Sequence, residues 1–250
     1  MPRTSTRTAT ASPATGIRRR SSRRRTEVTR PPSPNFGERR GGARPDLVVI
    51  HYTAMPGCAE ARARLCDPNA EVSAHYLIAE TGEVDALVPE EARAWHAGAG
   101  AWGRVTDVNS RSIGIELQNP GDAPFPEPQM AALERLLAAT MARWQIPPER
   151  VIGHSDMAPD RKRDPGPRFD WQRLARSGLA IWPGPAGDPT APLAASLRAI
   201  GYPEATPATL LHAFRLRFRP WATGPEGPED RAAADDIARR FPVDDGPSRA

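Results

Sequence analysis

The stretch PDLVVIHYT (45–53) is a short, apolar, β-branched run that turns polar at its end, the pattern of a buried strand whose last residues reach a rim. Outward from it, AHYLIAE (74–80), the turn pair Thr81-Gly82 and EVDALVP (83–89) read as a hairpin, and SIGIELQN (112–119) reads as a further strand. Between them ARAWHAGAGAWGRVTDVNS (92–110), rich in Gly and Trp, is too long for a mere connector and reads as functional. From Glu127 to Gln145 the period changes: Met130, Leu133, Leu137, Met141 and Trp144 recur at helical steps. Pro128 suits that helix's first turn and Ile146-Pro147-Pro148 stops it. RVIGHSD (150–156) is a strand entering the loop APDRKRDPGP (158–167), and FDWQRLARSG (169–178) is a short helix. Strands and helices interleave, which predicts an α/β domain with a mixed central β-sheet flanked by helices.

WPGPAGDPTAP (182–192) reads as a linker. Three helical patterns follow, PLAASLRAIGY, TPATLLHAFRLRFRPW and EDRAAADDIARRF, and they predict a small C-terminal three-helix module. The expected organisation is therefore a disordered basic arm (1–32), a principal domain (33–182), a Pro/Gly linker (183–190), the helical module (191–241) and a polar tail (242–250). No internal repeat is visible.

Charge is divided unevenly along the 250 residues. Residues 1–44 hold 12 Arg against Glu27 and Glu38, whereas the remainder holds 22 basic against 28 acidic residues. The sequence pI of about 9.6 thus belongs to the arm, and the acidic remainder argues against a specific nucleic-acid partner. No apolar run approaches the roughly 20 residues of a membrane span. Residues 26–46 also lack the apolar segment of a secretory signal, so a cytoplasmic location is expected, with the periplasm or cell envelope as the alternative. Cys58 and Cys66, the only cysteines, fall in a predicted helix that would set their Cα atoms about 12 Å apart, too far for a disulfide. Free thiols are expected, and any metal must be held by His and carboxylate.

His51 closes the first strand and His154 closes VIGHSD, and strand ends sharing a rim are where α/β domains assemble sites. Ten residues after His154, Asp164 sits on a loop stiffened by Pro165 and Pro167. Two imidazoles and one carboxylate with an open fourth position form a catalytic zinc arrangement, although an isolated His at a strand end is more often structural. Lys162 is the only lysine in a chain that writes its other 33 basic residues as Arg, and the two side chains are not interchangeable in a tight site. Glu116 is a carboxylate inside an apolar strand, and alternation sets it on the face opposite Ile113, Ile115 and Leu117.

These residues lie in IHYT (50–53), AHYLI (74–78), AWHAG (94–98), SIGIELQNPG (112–121) and GHSDMAPDRKRDPGP (153–167). Taken together, in this order and spacing, the five motifs resemble those of the type-2 zinc N-acetylmuramoyl-L-alanine amidases over about residues 33–182. That family includes anhydromuropeptide amidases, envelope amidases and phage lysozyme-type amidases, and is related to peptidoglycan recognition proteins. The resemblance implies one Zn2+ per chain held by His51, His154 and Asp164, with Glu116 as general base and Lys162 stabilising the oxyanion. It further implies a substrate loop carrying Trp95 and His96, a substrate contact from Asn119, and for His75 a place either behind the metal ligands or in core packing. Asp160 departs from the pattern, where relatives often carry a smaller residue. His212, on an apolar helix of the tail, is expected to be structural.

The reaction implied is hydrolysis of the amide between N-acetylmuramic acid, or its anhydro form, and L-alanine, for cell-wall turnover or recycling. The rival is a recognition module that binds muropeptides without cutting them; the complete set of five residues favours catalysis. The tail module resembles a peptidoglycan-binding domain in LRAIGYP and LLHAFRLRFRP. No protein partner is assigned. For a cytoplasmic enzyme acting on soluble muropeptides, deleting residues 190–250 should leave turnover of small anhydromuropeptides within a few-fold, provided the truncated domain stays folded.

Overall fold

The long inner strands of the principal sheet, 47–52 and 112–117, are apolar on both faces at their centres, so the sheet must be covered on both sides. The computed structural model describes residues 32–243 of the chain; the expected basic arm up to residue 31, and the tail from residue 244, lie outside the described residues. The chain begins with β1 (Phe36–Gly37), β2 (Leu47–Tyr52), α1 (Cys58–Cys66), β3 (Tyr76–Ile78), β4 (Val84–Ala86) and β5 (Arg93–Ala94). It continues with α2 (Val108–Arg111), β6 (Ser112–Leu117), α3 (Glu127–Trp144), β7 (Val151–Gly153), α4 (His154–Met157) and α5 (Trp171–Arg176). Three helices close the described chain: α6 (Leu193–Ile200), α7 (Pro207–Phe218) and α8 (Pro228–Arg240).

The main sheet has the order β4-β3-β6-β2-β7. β2 runs parallel to both β6 and β7, β3 runs parallel to β6, and β4 closes one edge antiparallel to β3. The sheet is therefore mixed, as expected. β1 and β5 form a separate two-residue ribbon, too short to show in the sequence pattern.

Alternation along β2 divides the molecule. Val48 and Ile50 join Ile113, Ile115 and Leu117 of β6 in a core with Met130, Leu133, Leu137 and Met141 of α3. Leu47 and Val49 face the other way, into a core with Ile152, Leu197, Ile200, Phe214, Phe218 and Ile237. Each such side chain is fully buried or nearly so, worth about 1.5–3 kcal/mol apiece in apolar area removed from water.

The second core joins the sheet to α6, α7 and α8. Residues 191–241, which follow the Pro/Gly stretch 183–190, share one hydrophobic core with the sheet. The linker itself is stitched to α8: the Gly184 and Asp188 amides donate to Asp236 and Asp235 at 2.6 and 2.8 Å. A Cβ on Gly187 would stand 1.7 Å from the Ala232 carbonyl oxygen, so only glycine allows that approach. Among the described residues no helix is long and apolar enough to cross a membrane. Cys58 and Cys66 are free thiols at the two ends of α1.

Candidate active site

On β2 the row Leu47–Val49 continues to His51, so the same alternation that buries two apolar residues delivers an imidazole to the rim. Register sets His51 beside Glu116 on β6. β7 ends at Gly153, where a Cβ would stand 2.8 Å from the Pro165 ring, and His154 opens α4 immediately after it. The Ser155 amide donates to the Asp164 carbonyl at 2.9 Å, holding the loop 158–167 against that turn.

The three expected ligands meet. His51 Nδ1 lies 2.9 Å from His154 Nδ1 and 2.9 Å from Asp164 Oδ2, and His154 Nδ1 lies 3.0 Å from the same carboxylate oxygen. All three side chains are buried. Burial and the neighbouring His154 push His51 down to about 4, so near neutral pH its ring carries one proton.

The surrounding hydrogen bonds assign where those protons sit. His154 Nε2 lies 2.9 Å from the Ala97 carbonyl, which can only accept, so Nε2 carries a proton and Nδ1 is the atom turned toward the other two residues. For His51 the chain of reasoning is one residue longer. Ser112 Oγ donates its only proton to the Val108 carbonyl at 2.5 Å, so His96 Nε2, 3.1 Å away, must donate to Ser112. Burial holds His96 well below its ordinary pKa and therefore neutral, so its Nδ1 accepts from His51 Nε2 at 3.0 Å. That leaves His51 Nδ1 bare. The two Nδ1 atoms and a carboxylate oxygen thus converge, a donor set suited to a cation. The group can hold a metal ion, and the far nitrogens of both histidines are tied down as ligating histidines require.

Glu116 faces the same space. Its Oε2 is buried and without a hydrogen-bond partner in the structure. Burial first, then the charge of Asp164, pushes its carboxyl up to about 8, with Lys162 pulling the other way. A cavity of about 500 Å³ is lined by the three candidate ligands together with Glu116, Lys162 and Trp95. His96 lines it too, and so touches both the cavity and a candidate ligand.

Asn119 does not line this cavity: it is buried, its side chain accepting from the Gly121 amide at 2.8 Å and donating to the Ala123 carbonyl at 3.2 Å, which shapes the turn after β6. His75 is fully buried, accepting from the Gly114 amide at 2.9 Å, a packing role. His212 is exposed rather than buried in the tail, with Nε2 meeting Arg163 Nη2 at 3.2 Å. Several contributors carried no sequence signal: the Ala97 carbonyl, the Ser112 hydroxyl, and Asn109, whose Oδ1 accepts from the His96 and Ala97 amides at 3.0 and 2.9 Å. Arg161 also donates to the Ala97 and Ala99 carbonyls.

Comparison with known proteins agrees with this geometry. A family model described as N-acetylmuramoyl-L-alanine amidase matches residues 41–167. The chain is 37% identical over 234 residues to the N-acetylmuramoyl-L-alanine amidase AmiD of Escherichia coli (strain K12), covering 79% of this chain and 84% of AmiD. It is 35% identical over 165 residues to the 1,6-anhydro-N-acetylmuramyl-L-alanine amidase AmpD of Citrobacter freundii, covering 59% of this chain and 88% of AmpD. A solved complex of AmiD from E. coli with anhydro-N-acetylmuramic acid-L-Ala-D-gamma-Glu-L-Lys superposes with a TM-score of 0.71 at 34% identity, covering 88% and 93% of the two chains. Fold and site define an amidohydrolase. The chain belongs to the N-acetylmuramoyl-L-alanine amidase family.

Proposed function

We propose that this enzyme is a zinc amidase that cuts the amide between anhydro-N-acetylmuramic acid, or N-acetylmuramic acid, and L-alanine in peptidoglycan fragments. The observation that carries the reading is the convergence of three ligand atoms of His51, His154 and Asp164 beside the unpartnered Glu116 oxygen, inside one cavity. His51, His154 and Asp164 would hold the ion. When bound, zinc supplies a Lewis acid and lowers the pKa of water to about 7.

The chain's own residues supply the rest. Glu116 Oε2 takes a proton from the attacking water and hands it to the departing amine, which leaves as the L-alanyl amino group while the lactyl carbonyl becomes a carboxylate. Such a positioned carboxylate contributes about 10²–10⁴-fold. Lys162 meets the negative charge that develops on the carbonyl oxygen. No covalent intermediate is required, and Cys58 and Cys66 lie outside the ligand set. Trp95, on the cavity wall, supplies an apolar face for the substrate.

Elemental analysis should find one zinc per chain. Incubation with anhydromuramyl-tripeptide, followed by mass spectrometry, should release free tripeptide, and chelation should stop the release. Binding of the muropeptide with no cleavage by the zinc-loaded protein would make this a recognition module. Soluble anhydromuropeptides are met in the cytoplasm and polymeric wall in the envelope. We place the enzyme with the soluble substrate, and fractionation of producing cells together with a sacculus pull-down tests that placement.

A further inference from the structure

The turn that presents His154 is gripped by residues of the C-terminal segment. Asp156, two residues beyond the ligand and fully buried, accepts from the Gly153 amide at 2.8 Å and so closes the turn on itself. Its carboxylate is held in turn by two residues of the C-terminal segment, one in α7 and one just after α6. Arg217 of α7 donates to Asp156 Oδ2 at 2.9 Å and to the Val151 carbonyl of β7 at 2.9 Å, and Tyr202 donates its hydroxyl to Asp156 Oδ1 at 2.7 Å. The Arg217 guanidinium lies over the rings of Trp171 and Phe218, 4.6 and 4.7 Å from their centroids. Arg217 and Tyr202 are themselves 2% and 4% exposed, so neither has water as an alternative partner.

The same corner backs the long loop on the other side of His154. The Gly201 carbonyl accepts from the Gly103 amide at 2.8 Å, and the Tyr202 ring packs edge-on against Trp102 with centroids 5.2 Å apart. A Cβ on Gly201 would stand 2.8 Å from the Trp102 ring. That loop carries Ala97, whose carbonyl orients His154 Nε2, and its Ala101 amide donates to the Met157 carbonyl at 2.9 Å. His154 is thus fixed at its backbone by one element and at its far nitrogen by another. Both elements rest on residues 201–217.

We propose that Tyr202 and Arg217 are positioning residues for the metal site, so that the C-terminal helices act as an internal brace on His154 and, through the Ser155 amide, on Asp164. This rests on the zinc-amidase reading above. It replaces the expectation of a dispensable appendage: removing residues 190–250 strips one side of the turn that aims a ligand.

The test uses the full chain and three variants, with zinc affinity measured by competition against a chromophoric chelator and the fold monitored by circular dichroism. Tyr202→Phe removes one hydroxyl. The double variant Asp156→Asn/Arg217→Met removes both charges and leaves no buried ion unpaired. Both should weaken zinc binding about tenfold or more, as loss of an outer contact on a ligating histidine does. Both should lower kcat on anhydromuramyl-tripeptide while KM stays within about twofold, because the cavity wall is untouched. Ile237→Ala, in the same core but remote from the turn, serves as the control: it should lower Tm and leave zinc affinity and kcat unchanged. The brace is refuted if Tyr202→Phe and the double variant shift only Tm, or if Ile237→Ala weakens zinc equally. A wild-type chain that neither binds zinc nor cleaves would instead refute the underlying reading, so the two failures are distinct.

Discussion

Gly114 lies flat beneath the His96 ring: a Cβ on its backbone would stand 2.4 Å from the imidazole Cγ. β6 can therefore pass under the histidine only because this residue has no side chain. Gly114→Ala would push His96 off His51 Nε2 and release the proton order that bares His51 Nδ1. Zinc affinity should fall about 10–100-fold, while the strand itself, where Ala is tolerated, stays folded. Competition titration and circular dichroism on one sample check both halves.

His96 acts through its hydrogen bonds, which a side chain of similar reach can imitate. His96→Ala should weaken zinc by about 10–100-fold, and His96→Gln, able to accept from His51 and donate to Ser112, should recover most of the loss. In the metal-free protein, ¹⁵N chemical shifts should report His51 and His154 both protonated at Nε2. Protonation of either ring at Nδ1 would remove the basis for the metal site.

Glu116 sets activity against stability. Its carboxyl titrates near 8 in the fold and at the ordinary value of 4.5 when unfolded, because burial disfavours the charged form. Between those two pH values the native state binds the extra proton, so this group's contribution is fully present below 4.5 and is lost as pH rises through 8. Glu116→Gln should accordingly raise Tm of the metal-free protein at pH 8–9, leave it nearly unchanged at pH 4, and cut kcat by about 10²–10⁴-fold with zinc still bound. Calorimetry across pH, with a parallel activity assay, decides the matter.

Lys162 should not be replaceable by the residue this chain uses everywhere else. Lys162→Met is expected to lower kcat about 10²–10³-fold with little change in KM, and Lys162→Arg should restore little of it, since a planar fork cannot occupy the place of a compact ammonium. Full recovery by Arg would reduce the role to net charge.

Removing the metal should be visible without substrate. At zinc concentrations about a hundredfold above Kd, binding adds roughly 2.7 kcal/mol to the native state, which for a domain of this size corresponds to about 5–10 °C in Tm. Chelation should reverse that increment in wild type and have no effect on Tm of His154→Ala.

The strands and long helices were legible because their periods are set by what they bury: LVVIHY and SIGIEL became β2 and β6, and the Met130–Trp144 stripe became α3. The candidate ligands were legible for the same reason, since a strand that ends on His51 must deliver it to the rim. What could not be read were contacts made by backbone atoms. The Ala97 carbonyl and the Gly114 clearance leave no chemical mark on a sequence. The matched motif around Asn119 says nothing of the side chain's direction, and that side chain turns back to close its own loop. The fusion of the tail with the sheet was hidden in Arg217, which reads as one more arginine on a helix until Asp156 is found opposite it.

That pairing spans 61 residues of chain, and so it also has a direction in time. A ribosome adding about 5–20 residues per second releases His51, His154 and Asp164 seconds before Arg217 follows. A nascent chain halted shortly after residue 190 would hold every candidate ligand and none of the proposed brace, so a braced site would mature only once α7 has been made.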